Sequence, residues 1–500
     1  MATSATVDRM AAISASRLAA LLHADPASRV GPSPHHTAAY RQLTEGLRRL
    51  VVDGQVLVGS RLPSERDLTA GLGVSRTTVA SAYAALRDAG YLTTRRGSGS
   101  VVTLPEGGLR RGAAPGVYPV DIEGDDLDLT CAATRAPHGM ARAYESALAA
   151  LPSYLATAGY LTLGVPDLRA AIAQRYTTRG LATTPDEILV TSGAVAGMSI
   201  AMSAFLAPGD GVLVESPTYP NTVHALRHRG MRLSATPVTS AGWDVDNITQ
   251  QLRGARIRAA LLVPDFHNPT GAHLDEAGRA DIAAALRRGK ALALVDETMA
   301  ELALDPDSPR ARPMASFHHD TVTIGSAGKS HWGGLRLGWI RAPRHVLDPL
   351  LAARVSVDLG AAVLEQLVLL ELLRAEPGMA AARRTELRAA RDVLVAALRD
   401  RLPQAEFTVP AGGLCLWVRL PGLDTEAVVA RAEREGVYLA AGRRFAVTGT
   451  LEHWLRIPYV LPPQDLVEAV DRLARAVDQV ATARRPRRRD RPQETRPLIA

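Results

Sequence analysis

From about residue 128 onward, short apolar runs alternate with longer stretches whose apolar positions recur at helical spacing. Ile188-Leu189-Val190-Thr191, Gly211-Val212-Leu213-Val214, Ala259-Ala260-Leu261-Leu262-Val263 and Ala291-Leu292-Ala293-Leu294-Val295 are such runs, each followed by a loop with polar or glycine residues. This alternation predicts a large α/β domain over residues 128–480. In open α/β sheets the chemistry gathers in the loops at the carboxyl ends of the strands. The earlier part of the chain has a different pattern. Tyr40, Leu43, Leu47, Leu50 and Val51 lie on one helical face, and two shorter helical patterns follow before residue 90. A separate, small helical domain is therefore expected over residues 37–103. Ile13, Leu18, Leu21 and Leu22 predict one helix in an N-terminal arm, residues 1–36, packed on another part of the protein.

Between the two domains, residues 104–127 are rich in Gly, Pro and Ala and read as a flexible linker. Residues 481–500 contain Arg484-Arg485-Pro486-Arg487-Arg488-Arg489 and read as a basic disordered tail. Composition narrows the class further. The 500 residues are 47% hydrophobic and 22% charged, as in soluble globular proteins of two or three domains. No run reaches the roughly eighteen apolar residues of a membrane span, and the N-terminus lacks a basic-then-apolar signal pattern. Cys131 and Cys415, far apart, form no ligand-spaced pair, so neither a disulfide framework nor a metal site is expected. These features together predict a cytoplasmic protein.

In the small domain, Leu62-Pro63-Ser64 opens the second helix, with Ser64 as cap and Asp67 as the capping-box acid. That helix ends at Leu72-Gly73, and Ser75 caps a third through Val79, Ala82, Tyr83 and Leu86. Two short helices joined by a Gly-containing turn form a helix-turn-helix. The third helix begins with Arg76, Thr77 and Thr78, which puts an arginine and hydroxyls where recognition helices meet base edges and phosphates. Beyond Gly90, two β-prone runs flank Arg95-Arg96-Gly97-Ser98-Gly99 and read as a β-hairpin wing with a basic tip. Nine Arg stand against five Asp and Glu over residues 37–103, a surplus suited to counter-ion release from double-stranded DNA. The strings Leu62-Pro63-Ser64-Glu65-Arg66-Asp67-Leu68 and Gly73-Val74-Ser75-Arg76-Thr77-Thr78-Val79 closely resemble the GntR-type winged helix. The resemblance implies DNA contacts at Arg66, Arg76, Thr77 and Thr78, with Ser75 and Gly97 beside the backbone, and the basic wing tip adds Arg95 and Arg96. Ala80 stands where many relatives carry a further arginine.

The large domain holds a lone chemical signal. Of the 58 Lys and Arg, only Lys290 and Lys329 are lysines, and Lys329 lies in the small-residue turn Ser326-Ala327-Gly328-Lys329 after an apolar strand. Lysine, unlike arginine, loses its proton in a desolvated pocket and then attacks carbonyl carbon, which points to pyridoxal 5'-phosphate (PLP). Other strand ends supply matching parts. Gly193 and Ala194 open a helix whose backbone N–H groups suit a phosphate, and Tyr219 offers a ring for a flat heterocycle. Asn268, in Asn268-Pro269-Thr270-Gly271, can donate to a phenolate oxygen. Asp296 can keep a pyridine nitrogen protonated. Ser326 and Arg336 flank Lys329 as phosphate ligands, and Arg456 suits capture of a carboxylate.

Residues 128–480 resemble fold type I PLP-dependent aminotransferases, and the whole chain resembles MocR-type transcription regulators of the GntR superfamily. The implied protein is a winged helix-turn-helix domain linked to a large fold type I aminotransferase-like α/β domain. By that resemblance Lys329 bonds the cofactor, Asp296 pairs with its ring nitrogen, Asn268 with its ring oxygen, and Tyr219 stacks on it. Ser326, Arg336, Gly193 and Ala194 cradle the phosphate, and Tyr160 reaches it from a neighbouring subunit of a homodimer. Arg456 holds the carboxylate of an amino acid or similar amine effector. Thr298 replaces a tyrosine common in relatives, and Val195 replaces a polar residue beside the phosphate. The expected function is a PLP-dependent DNA-binding regulator that senses PLP or an amino compound. A working aminotransferase carrying a DNA-binding head is the alternative.

Overall fold

A computed structural model describes residues 13–24, 36–52, 56, 60–95, 99–103, 125–254, 256–308, 310–375, 378–447 and 451–484. The chain divides into two compact units. One comprises residues 1–114, 136–158 and 367–379, and the other residues 115–135, 159–366 and 380–500. The division follows contacts rather than linear order, so two segments from beyond residue 128 join the N-terminal unit.

In the first unit the helix His36–Val52 buries Leu43, Leu47, Leu50 and Val51 against the helix Arg76–Asp88, which contributes Val79, Ala82, Tyr83 and Leu86. Ser64 caps the intervening helix Glu65–Leu72 by accepting from the Asp67 N–H at 3.2 Å. Gly73 ends it at φ +66°, a left-handed turn that glycine adopts without steric cost. Leu92–Arg95 and Gly99–Val102 pair antiparallel, with Leu92 opposite Val102. The arm helix Ala15–Ala24 buries Leu18, Ala19 and Leu22 in this same core. The arm is therefore packed on the winged helix itself, with Ala19 against Gly71.

The second unit is built on an eight-stranded sheet. Its spatial order is Ile188–Thr191, Gly338–Arg341, Thr321–Ser326, Leu292–Asp296, Ile257–Leu262, Gly211–Ser216, Arg232–Thr239, Gly242–Trp243. The five strands from Thr321–Ser326 to Arg232–Thr239 run parallel to one another, while Gly338–Arg341 is antiparallel to both its neighbours. Both faces are buried. Val212, Val214, Leu261 and Leu294 pack towards the helices Ala194–Phe205 and Arg344–Arg354. Leu213, Leu262, Ala293 and Val295 pack towards Val245–Gly254 and Glu276–Gly289. Burial of both faces explains why these strands read as nearly unbroken apolar runs. A smaller sheet of Cys415–Arg419, Trp454–Pro458 and Ala440–Ala441 anchors a separate core with the helices Thr425–Arg434 and Pro463–Arg484. No helix among the described residues is long and apolar enough to cross a membrane.

Candidate functional site

Strand register brings the predicted site together. Ser326 pairs with Gly338, and Gly338 with Thr191, so three strand ends lie in a row beneath Gly193 and Ala194. Gly193 precedes the helix Ala194–Phe205 at φ +99°, and no side chain caps that helix. Its first N–H groups are thus open to an anion. A Cβ on Gly193 would lie 3.4 Å from Arg336 Nη2, which places the guanidinium directly beside this helix start. Arg336 is exposed and has a left-handed backbone, φ +50°. Ser326 Oγ accepts from the Gly328 N–H at 3.0 Å and sets the turn that carries Lys329. Ser192 Oγ donates to Asp358 at 2.9 Å, and Arg354, fully buried, holds Asp358 at 2.7 Å. An uncapped helix start with an exposed arginine against its glycine fits a phosphate group.

The lysine lies on the turn Gly328–Trp332, and its Nζ donates to the Ala132 carbonyl at 2.7 Å. Burial holds its pKa below the ordinary lysine value, and the Arg456 charge acts in the same direction, while Asp296 and both cysteine sulfurs oppose it. Burial raises the Asp296 carboxyl, against hydrogen bonds from Thr298 and the Lys329 charge. The Thr298 N–H reaches Asp296 Oδ1 at 2.9 Å, so this residue orients the carboxylate. The Asp296 carboxyl thus lies beside an amine whose proton is loosely held. A cation next to Asp296, such as a protonated pyridine nitrogen, would offset its burial. These residues fit the phosphate and the heteroaromatic ring of PLP.

Asn268 is buried, and its Oδ1 accepts from Arg456 Nη1 at 3.4 Å, which leaves the amide N–H groups as donors. Tyr219 follows the strand Gly211–Ser216, and its hydroxyl accepts from Asn221 at 2.9 Å. Arg456 is only 5% exposed, donates to the Thr130 carbonyl and lies over the Phe445 ring at 4.9 Å. Its guanidinium is engaged inside the protein, and its buried Nε has no hydrogen-bond partner. Tyr160 lies on the surface, 70% exposed.

Several participants were not legible beforehand. Cys131 neighbours Ala132, and the buried Cys415 contacts the Pro269 carbonyl at 3.7 Å, so two cysteines 284 positions apart share the lysine's surroundings. Behind Asn268, Glu215 is wholly buried. It accepts from Trp243 Nε1 at 2.6 Å and from the Val263 N–H, with His267 Nε2 at 3.3 Å. His267 Nδ1 lies 3.0 Å from Thr270 Oγ1, which locks the Asn268 loop from within. The only hint in the sequence was the polar cluster His267-Asn268-Pro269-Thr270.

On the first unit, Arg66, Ser75, Arg76 and Thr77 are exposed at the helix-turn-helix. Thr78 departs from expectation. It is 4% exposed, and its hydroxyl lies 2.8 Å from Ser75 Oγ, so it secures the cap rather than facing outward. Arg96 and Gly97 lie outside the described residues, as does the Arg95 side chain. Ser75 Oγ accepts from the Thr78 N–H at 3.1 Å. Ser75→Ala is expected to cost about 1 kcal/mol in denaturant unfolding of this unit.

Comparison with known proteins agrees with this geometry. Residues 141–473 match the family of class I and II aminotransferases, and residues 39–102 match the bacterial regulatory proteins of the gntR family. The chain belongs to the class I and II aminotransferase family and carries a gntR-family DNA-binding domain fused ahead of it. It is 28% identical to the HTH-type transcriptional regulator TauR of Rhodobacter capsulatus over 471 residues, covering 87% of this chain and 95% of that one. It is 24% identical to the uncharacterized HTH-type transcriptional regulator YdfD of Bacillus subtilis, covering 89% and 97%. Among solved structures, LysN, an alpha-aminoadipate aminotransferase from Thermus thermophilus complexed with N-(5'-phosphopyridoxyl)-L-leucine, superposes with a TM-score of 0.66. That match is 26% identical and covers 72% of this chain and 94% of that one.

Proposed function

We propose that this protein is a PLP-dependent, DNA-binding transcription regulator whose aminotransferase-like unit senses an amino compound. One observation carries the reading. Lys329, the chain's sole lysine besides Lys290, is held with a lowered pKa beside Asp296 in a protein that also bears an outward-facing helix-turn-helix. PLP, when bound, supplies an electron-withdrawing ring that stabilises negative charge beside an amino group. Lys329 is the amine that holds it covalently, and Asp296 keeps its ring nitrogen protonated. Asn268 donates to its ring oxygen, while Arg336, Ser326 and the N–H groups after Gly193 bind its phosphate. Tyr219 covers its face. A double-stranded DNA site is read by Arg66, Arg76 and Thr77, with Ser75 fixing the helix that carries the latter two. The exposed Tyr160 fits a place in a homodimer, where it would reach the partner's phosphate site.

The effector's carboxylate is assigned to Arg456. A ligand carboxylate that takes the unpartnered Nε together with Nη1 or Nη2 would displace the bond to Asn268 or Thr130. Loss of the Asn268 bond would link ligand entry directly to the cofactor's ring-oxygen donor. A ligand shifts an equilibrium only by its differential affinity for two states, and this rearrangement supplies such a difference. The test is an absorbance spectrum of the full chain with PLP, followed by DNA mobility shifts with and without amino compounds. A visible band that shifts with one amine, together with altered DNA affinity, is expected. A band with no effect of any amine on DNA binding would overturn the sensing reading. Sustained transfer of the amino group to a 2-oxo acid would favour the catalytic alternative, which the lowered pKa of Lys329 also suits.

A further inference from the structure

At the amino ends of the strands, opposite the end of the sheet that carries Lys329, lies a pocket of about 450 Å³. It opens between the amino ends of three parallel strands, where Arg258 follows Ile257, Leu292 begins its strand, and His318 to Asp320 precede Thr321. Leu292 and Asp296 are the two ends of one strand. A rise of ~3.3 Å per residue separates the pocket from the cofactor site by about 13 Å along that strand. None of its lining residues belongs to the lysine site.

The floor is apolar, formed by Phe205, Leu286 and Leu292, and the rim is cationic. Arg258, Arg287 and Lys290, the chain's other lysine, are all exposed there. Among the described residues neither Arg258 nor Lys290 has an ion-pair partner, while Arg287 donates to the Phe317 carbonyl at 2.5 Å. The one acidic lining residue, Asp320, is already engaged by His345 Nε2 at 3.0 Å and His319 Nδ1 at 3.3 Å. His318 is 7% exposed and lines the pocket, and its buried Nδ1 has no hydrogen-bond partner. Burial pushes that imidazole's pKa down, so near neutrality its Nδ1 is a free hydrogen-bonding atom rather than a fixed charge. Like-charged groups gathered around a concave apolar floor, whose single carboxylate is already taken by two histidines, repel one another, and a buried unmet polar atom adds a further cost. A bound anion removes both penalties. The volume lies within the range of small-molecule sites.

We propose that this pocket is a second ligand site, one that takes a small organic dianion. Its charged groups meet Arg258, Arg287 and Lys290, its apolar body rests on Leu286, Leu292 and Phe205, and His318 Nδ1 completes the polar contacts. The same three strands end at Asp296, Ser326 and the loop of Asn268, so occupancy here and at the lysine site bears on a single sheet.

The probe is 1-naphthyl phosphate, titrated calorimetrically into the full chain carrying Arg336→Ala, which removes the guanidinium from the phosphate cradle near Lys329. Saturable single-site binding is expected, with inorganic phosphate binding about tenfold or more weakly because it leaves the apolar floor uncovered. Adding Arg258→Gln and Lys290→Gln, both exposed positions, should weaken the naphthyl ester by about tenfold or more with unchanged melting temperature. Three results would each overturn the proposal: no saturable binding in the Arg336→Ala chain, equal affinity after the double substitution, or equal affinity for inorganic phosphate.

Discussion

Lys329→Met is expected to abolish the visible-range absorbance that PLP confers and, in the cofactor-free protein, to flatten the rise of stability with pH. The first effect follows because no other lysine lies at the cofactor site, Lys290 being at the opposite, amino end of the strands. The second follows from linkage. Burial holds the folded pKa of Lys329 below its ordinary value of 10.5. The unfolded chain therefore binds this proton more readily than the folded chain between those two values. Stability then rises with pH across that window, and is lowest below the folded pKa, where a charged amine must stay buried. Methionine has nearly the same length and no charge, so it removes the slope and keeps the packing. Melting temperatures of both cofactor-free proteins from pH 7 to pH 10 are the measurement. The wild type should gain on the variant as pH rises. Parallel curves would mean that the lysine's surroundings do not disfavour its charge.

Gly338→Ala is expected to lower both stability and PLP affinity, by on the order of 3 kcal/mol for folding. A Cβ at this position would lie 2.6 Å from the Ala194 nitrogen, 2.7 Å from the Gly193 carbonyl carbon and 2.8 Å from the Gly325 oxygen. All three are backbone atoms, so none can swing aside as a side chain would. The strand Gly338–Arg341 or the start of the helix Ala194–Phe205 must move, and that helix start is the phosphate cradle. Thermal unfolding and PLP titration of the variant give the two readings. Loss of stability with unchanged PLP affinity would show that the cradle does not depend on this contact. By contrast, Val195→Ala beside it changes an exposed residue and should alter stability by less than about 0.5 kcal/mol.

The helix caps and the alternation of strands and helices were local matters, and both could be read from neighbouring residues. Ser64, Gly73 and Ser75 act within three or four positions of the groups they satisfy. The apolar runs are legible because strands buried on both faces tolerate little else. The order of the loops also marked Lys329, Asp296 and Asn268, because each stands at a strand's carboxyl end, where a parallel sheet gathers its chemistry. The burial of Thr78 has no local signal, because hydroxyls at a helix start serve the backbone as well as a ligand, and only packing decides how far each is exposed.

What needed the tertiary structure was every relation between distant residues. The antiparallel strand Gly338–Arg341 inserts between Ile188–Thr191 and Thr321–Ser326, and this pairing sets Arg336 against Gly193. Arg456 turns inward to Asn268 and Thr130, a pairing that its position at a strand end does not reveal. Cys131, Cys415, the Glu215–His267 pair and the basic pocket around Lys290 carry no signal at sequence spacing. The sequence by itself determined the elements, their caps and the residue types at the strand ends, because those depend on local hydrogen bonding and burial period. The tertiary structure alone decided which charges are buried together and which stand free, because desolvation and Coulomb interaction depend on distance in space.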